Sequence, residues 1–81
     1  MRIPRDIGGE DFAKLLKNLG YQITRQTGSH IRLTFIGEKE HHITIPNHKP
    51  IKIGTLNNIL RDISEHHKIS KKELTEKLWN D

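Results

Sequence analysis

"YQITRQTGSHIRLTFIGEKEHHITIP", residues 21–46, decides the fold. Three runs in it alternate apolar and polar residues. "YQITRQT" (21–27) puts Tyr21 and Ile23 on one side and Gln22, Thr24 and Gln26 on the other. "HIRLTF" (30–35) sets Ile31, Leu33 and Phe35 against His30, Arg32 and Thr34. "HHITIP" (41–46) sets Ile43 and Ile45 against His42 and Thr44. Strict alternation predicts an antiparallel sheet with one buried face and one open face. Gly28-Ser29 and "GEKE" (37–40) supply the turns, and Pro46 stops the third strand.

The flanks read as helices. In "GEDFAKLLKNL" (9–19), Phe12, Leu15, Leu16 and Leu19 form one apolar stripe at i, i+3, i+4, i+7. Glu10 and Asp11 in the first turn and Lys14 and Lys17 later suit the helix dipole, and Gly20 is placed to end the helix. After the loop "NHKPIKIG" (47–54), a second helix opens at Gly54-Thr55 and carries Leu56, Ile59, Leu60 and Ile63. "SKKE" (70–73) is a capping box, which predicts a short third helix with Leu74, Leu78 and Trp79. The expected class is α+β, in the order α-β-β-β-α plus a C-terminal helix. Packing both main helices on the apolar sheet face gives the architecture of the double-stranded-RNA-binding domain. Architecture by itself assigns no function.

Composition sets bounds. A chain of 81 residues is enough for one domain and not two. It has no cysteine, which excludes disulfides and thiolate metal sites and fits a reducing cytoplasm. No apolar run reaches membrane-span length and no signal-peptide core follows Met1, so a soluble, unprocessed cytoplasmic protein is expected. Fourteen Lys and Arg against ten Asp and Glu give a net charge of +4, which permits binding to a polyanion. Phe12, Tyr21, Phe35 and Trp79 are the whole aromatic set, too few and too core-like for a base-stacking platform.

If Ile31, Leu33 and Phe35 point into the core, the open face carries His30, Arg32, Thr34, Gln22, Thr24, Gln26, His42 and Thr44. That face is polar and free of acids. Arg32 is the next residue along it from His30. Arg25 shares the parity of Ile23, which places it at the sheet rim. Any antiparallel sheet shows water a polar face, so the pattern alone leaves His30 either a surface residue or a general base. The six histidines show no His-x-x-x-His or His-Glu-x-x-His spacing. His41 and His42 face opposite ways on a strand, and His66 and His67 read as helix C-terminal residues. These spacings argue against a metal site.

The motifs resemble a known family. "GSH" between two strands, then "HHITIPNHKPIKIGTLNNILRD" (41–62), is similar to the HicA family of toxins. The matching positions are Gly28, Ser29 and His30, then Thr44, Ile45, Pro46 and His48, then Gly54, Thr55, Leu56, Ile59 and Leu60. "DIGGEDFAKLLKNLGY" (6–21) resembles the family's first helix. The chain departs from the family pattern at Thr27, where a basic residue is usual, at Gly8, and in a longer helical tail. The resemblance implies a double-stranded-RNA-binding fold and a cytoplasmic endoribonuclease that cleaves mRNA and arrests translation. It also implies a cognate HicB-like antitoxin.

The family's catalytic histidine maps onto His30. RNA carries its own nucleophile, the 2′-hydroxyl. A metal-free route then needs a base, cations for the phosphorane-like charge, and an acid for the leaving oxygen. A histidine, which ordinarily titrates near about 6.5, can be that base. Gly28, Ser29, Arg32, Arg25 and Lys49 are the candidate RNA contacts, and His42 and His48 the candidate acids. No metal, small molecule or membrane is called for. The alternative from another class is a non-catalytic RNA-binding module of the same fold, which would not need His30.

Overall fold

The alternating runs pair as expected in a computed structural model of the chain, which describes residues 3–79. Strands β1 (Tyr21–Gln26), β2 (His30–Phe35) and β3 (His41–Pro46) form one antiparallel sheet in the order β1-β2-β3. Helices α1 (Gly9–Lys17), α2 (Ile53–His67) and α3 (Lys71–Leu78) complete the α+β fold. Helix α1 lies across all three strands, and α2 packs against β3 and α3.

Ile31, Leu33, Ile43 and Ile45 from the sheet meet Phe12 and Leu16 of α1, and Leu56, Leu60 and Ile63 of α2, in a buried core. Helix α3 adds Leu74 and Leu78. Trp79 is half-buried and stacks on Phe12, with ring centroids 6.1 Å apart and planes within 4°. Gly9 lets α1 start hard against the sheet's end. A Cβ there would overlap the Pro46 carbonyl oxygen, and the Gly9 N–H donates to the His48 carbonyl at 2.9 Å.

Local signals set the ends. Helix α1 stops at Lys17, two residues short of the apolar stripe, and the chain turns through Gly20 at φ +106°. Helix α2 begins at Ile53, a residue before the expected Gly54-Thr55 opening. The Ser70 side chain accepts the Glu73 N–H at 3.0 Å, as the capping box predicts for α3.

One register detail corrects the sequence reading. Between β1 and β2 the pairs run Tyr21↔Phe35, Gln22↔Thr34, Ile23↔Leu33, then Arg25↔Arg32. Thr24 is the extra residue of a β-bulge. The bulge reverses the parity of the rest of β1, so Arg25 shares the open face with Arg32 instead of keeping to the rim with Ile23.

Candidate functional site

The bend and the strand after it hold His30 in place. Thr27 Oγ1 accepts the His30 N–H at 3.1 Å and the Ser29 N–H at 3.3 Å, closing the turn from within. The Thr27 N–H donates to the His30 carbonyl at 2.9 Å. Across the sheet, the Asn47 N–H donates to the Ser29 carbonyl at 2.8 Å, and His30 sits opposite Pro46. Backbone and bend are thus tied on both sides, while the imidazole is exposed. Ser29 Oγ lies 3.0 Å from His30 Nδ1 in a hydrogen bond. Gly28 opens onto free space, with nothing within 4 Å of where a Cβ would be.

Next to His30 on the open face comes the row Arg25–Arg32–Thr44. Both arginines are exposed. Like charges directly opposite one another on a sheet are destabilising. Neither guanidinium forms an ion pair with an acid among the described residues. The adjoining row is a hydrogen-bonded ladder. Thr34 Oγ1 lies 3.1 Å from Thr24 Oγ1 and 2.9 Å from His42 Nδ1. Thr34 is consequently buried, although it points away from the core. The face is not wholly acid-free: Glu40 in the β2–β3 turn reaches His42 Nε2 at 3.7 Å.

The candidate residues are not all together. His30, Ser29 and Gly28 share the bend, and Arg25 and Arg32 share the next row. Lys49 stands apart, in the loop beneath α1, in a cleft of about 350 Å³ lined also by Gly8, Gly9, Glu10, Asp11, Asn47 and His48. Glu10 and Asp11, both acidic, line the same cleft. His42 is four pairs beyond the Pro46–His30 pair along the ladder. That is about 13 Å at roughly 3.3 Å per residue, too far to share one phosphate with His30.

A family model described as "HicA toxin of bacterial toxin-antitoxin" matches residues 9–64. The chain belongs to the HicA toxin family. No curated protein and no solved structure matches it significantly. The matched stretch runs from the first residue of α1 to near the end of α2, and so includes His30, both arginines and Lys49. Membership in a toxin–antitoxin family implies an antitoxin partner. No helix among the described residues is long and apolar enough to cross a membrane.

This HicA chain gathers other histidines at the far end of the sheet. His41 pairs with Phe35, five residues along β2 from His30. The His41 and His66 rings stack with centroids 4.2 Å apart, and His67 stands edge-on to Phe35 at 4.6 Å. The Tyr21 hydroxyl lies 2.7 Å from His41 Nδ1 and 3.0 Å from His67 Nε2. Burial pushes the Tyr21 pKa well above the usual phenol range, and the Asp62 carboxylate adds to the rise. Burial lowers the His67 pKa, helped by charge on His66 and His41. Spacing along the chain gives no sign of this group, because His66 lies 25 positions after His41. The one available hint is α2's length, which carries its C-terminus back to the start of β3.

Proposed function

We propose that this chain is an endoribonuclease toxin that cleaves mRNA without a metal, with His30 as general base. What carries the reading is the imidazole at the bend: exposed, fixed by its backbone, and hydrogen-bonded at Nδ1 to Ser29. With Nδ1–H donating to Ser29 Oγ, Nε2 presents its lone pair to the RNA 2′-hydroxyl. The base takes that proton as the 2′-oxygen attacks the adjacent phosphorus. The P–O5′ bond then breaks, leaving a 2′,3′-cyclic phosphate and a 5′-hydroxyl once an acid supplies the leaving oxygen with a proton.

The phosphate falls to Arg25 and Arg32, a like-charged couple beside the base with no acid paired to either. An incoming anion would relieve their repulsion, and the arginines would stabilise the charge that builds in the transition state. The Ser29 and His30 N–H groups are engaged by Thr27, so the bend contributes open space at Gly28 more than donors. His48, two residues past Pro46, is the better acid candidate than His42. Lys49 would meet RNA outside the cleavage point.

A HicB-like antitoxin of acidic surface would occlude the His30 face in the cytoplasm, because it competes with RNA for the same cations. The deciding experiment compares wild type with His30→Ala on RNA in EDTA. Cleavage by wild type, leaving cyclic-phosphate ends, and none by the variant supports the reading; equal cleavage by both removes His30. Hydrogen exchange on the antitoxin complex should show protection in residues 25–34 and 42–49. Protection confined to residues 70–79 would mean the partner does not cover this face.

A further inference from the structure

The cleavage chemistry leaves the histidine group at the other end of the sheet unused. One ring nitrogen from each of His41, His66 and His67 lies within 4.8 Å of the others. The Nε2 of each ring already has an oxygen partner, and His41 Nδ1 has one as well, the Tyr21 hydroxyl at 2.7 Å. His41 Nε2 is 3.2 Å from Asp62 Oδ1. His66 Nε2 is 3.2 Å from the Lys39 carbonyl. His67 Nε2 is 3.0 Å from the Tyr21 hydroxyl. A proton on each Nε2 satisfies all three contacts, since a carboxylate, a carbonyl and a hydroxyl oxygen all accept. Tyr21 then donates its own proton to His41 Nδ1. The same tautomer leaves an Nδ1 lone pair on every ring. Metal-bound histidines show this arrangement, with the non-ligating N–H held by a carboxylate, a carbonyl or a similar acceptor that fixes the tautomer and the ring.

We propose that His41, His66 and His67 bind one divalent transition-metal ion, Zn²⁺ by preference, through their Nδ1 atoms. Three neutral imidazoles suit zinc, and neither a hard all-oxygen set nor a thiolate is offered to calcium, magnesium or cuprous copper. A solvent-open cleft of about 430 Å³ adjoins two of the three rings, lined by Phe35, Glu38, Lys39, His66, His67 and Lys68, from which water would complete the coordination. The C-terminal end of α2 and the Asp62 carboxylate both favour a cation at this spot. Binding asks for two side-chain moves. Zinc at about 2.0–2.1 Å from each nitrogen draws the three together to roughly 3.4 Å, so the stacked His41 and His66 rings tilt apart. Tyr21 gives up His41 Nδ1 and keeps His67. The ion would clamp the start of β3 to the end of α2, well away from His30, so the inference stands whether or not His30 cleaves RNA.

The test is a calorimetric Zn²⁺ titration of the untagged full chain after EDTA treatment. Wild type should bind one ion per chain and melt on the order of 10 °C higher at 100-fold excess over Kd. His66→Gln/His67→Gln should weaken binding by about 100-fold or more, and Asp62→Asn by roughly tenfold. His42→Gln/His48→Gln should bind like wild type. If the first double variant binds as tightly as wild type, or the second loses as much, the ion is held by scattered surface imidazoles and the site is refuted. Imidazole ¹⁵N spectra of the wild-type chain guard against a variant that misfolds. Zinc should shift the Nδ1 resonances of His41, His66 and His67, and shifts at His30, His42 or His48 instead would equally overturn the site. RNA cleavage in EDTA, run in parallel, should be unchanged by the His66/His67 substitutions.

Discussion

The two ends of strand β2 treat the same side chain in opposite ways. At its start, His30 is exposed, its backbone bonded to Thr27, the Ser29 carbonyl before it bonded to Asn47, and its ring bonded to the Ser29 side chain. Beyond its end, His41, His66 and His67 pack among Tyr21 and Phe35, each with a partner on its Nε2. At the start of the strand the backbone is held and the ring keeps a free edge, the arrangement that the proposed general base requires. At the other end the rings hold each other, His41 stacked on His66 and His67 edge-on to both. Histidine count therefore says little, and the element junction that delivers each histidine says much.

The contrast can be broken at either end. The largest effect belongs to His30→Ala, which should cut the cleavage rate by roughly 10²–10⁴-fold, the usual yield of one general base, with the melting temperature unchanged. Growth on expression without antitoxin should return at equal protein level. Tyr21→Phe strikes the other end. It removes the hydroxyl shared by His41 and His67 and should cost about 1–3 kcal/mol by denaturant unfolding. Cleavage should stay within about twofold of wild type; a large loss would couple the two ends. Third, Arg25→Gln with Arg32→Gln should weaken RNA binding about tenfold and flatten its salt dependence by roughly 0.7 per lost phosphate contact. It should also stabilise the fold slightly, because it removes a cross-strand repulsion. Smallest is Ser29→Ala, for which a few-fold drop in cleavage with unchanged RNA affinity would identify Ser29 as a positioning residue. Unchanged cleavage would leave His30 to orient itself.

Alternation finds the three strands and helical periodicity the first two helices, with Gly20 and Pro46 marking ends, and the capping box at Ser70 finds the third helix. Parity misplaces Arg25 because it assumes an unbroken pleat. A bulge at Thr24 has no signature in "ITRQ", where no glycine flags it. His30 is legible because its bend is local, two small residues before a strand. The His41 group is not, since it depends on the direction in which a fifteen-residue helix returns to the sheet. Thr34 shows the limit of treating a face as exposed or buried: a polar residue on the open side is covered by its own hydrogen-bonded neighbours.

The family match ends at residue 64, yet the hydrophobic interior does not. Leu74 and Leu78 are buried, and Trp79 covers the face of Phe12, a residue of the first helix. During synthesis, the Phe12 ring waits for a cover made almost seventy residues later. Until α3 leaves the ribosome, His30 and its arginines can be fully translated while the helices that back their sheet are still partly uncovered. The fold of the family-matched stretch is thus completed by a helix that the match does not include, and a chain cut at residue 64 would leave Phe12 without the ring that covers it.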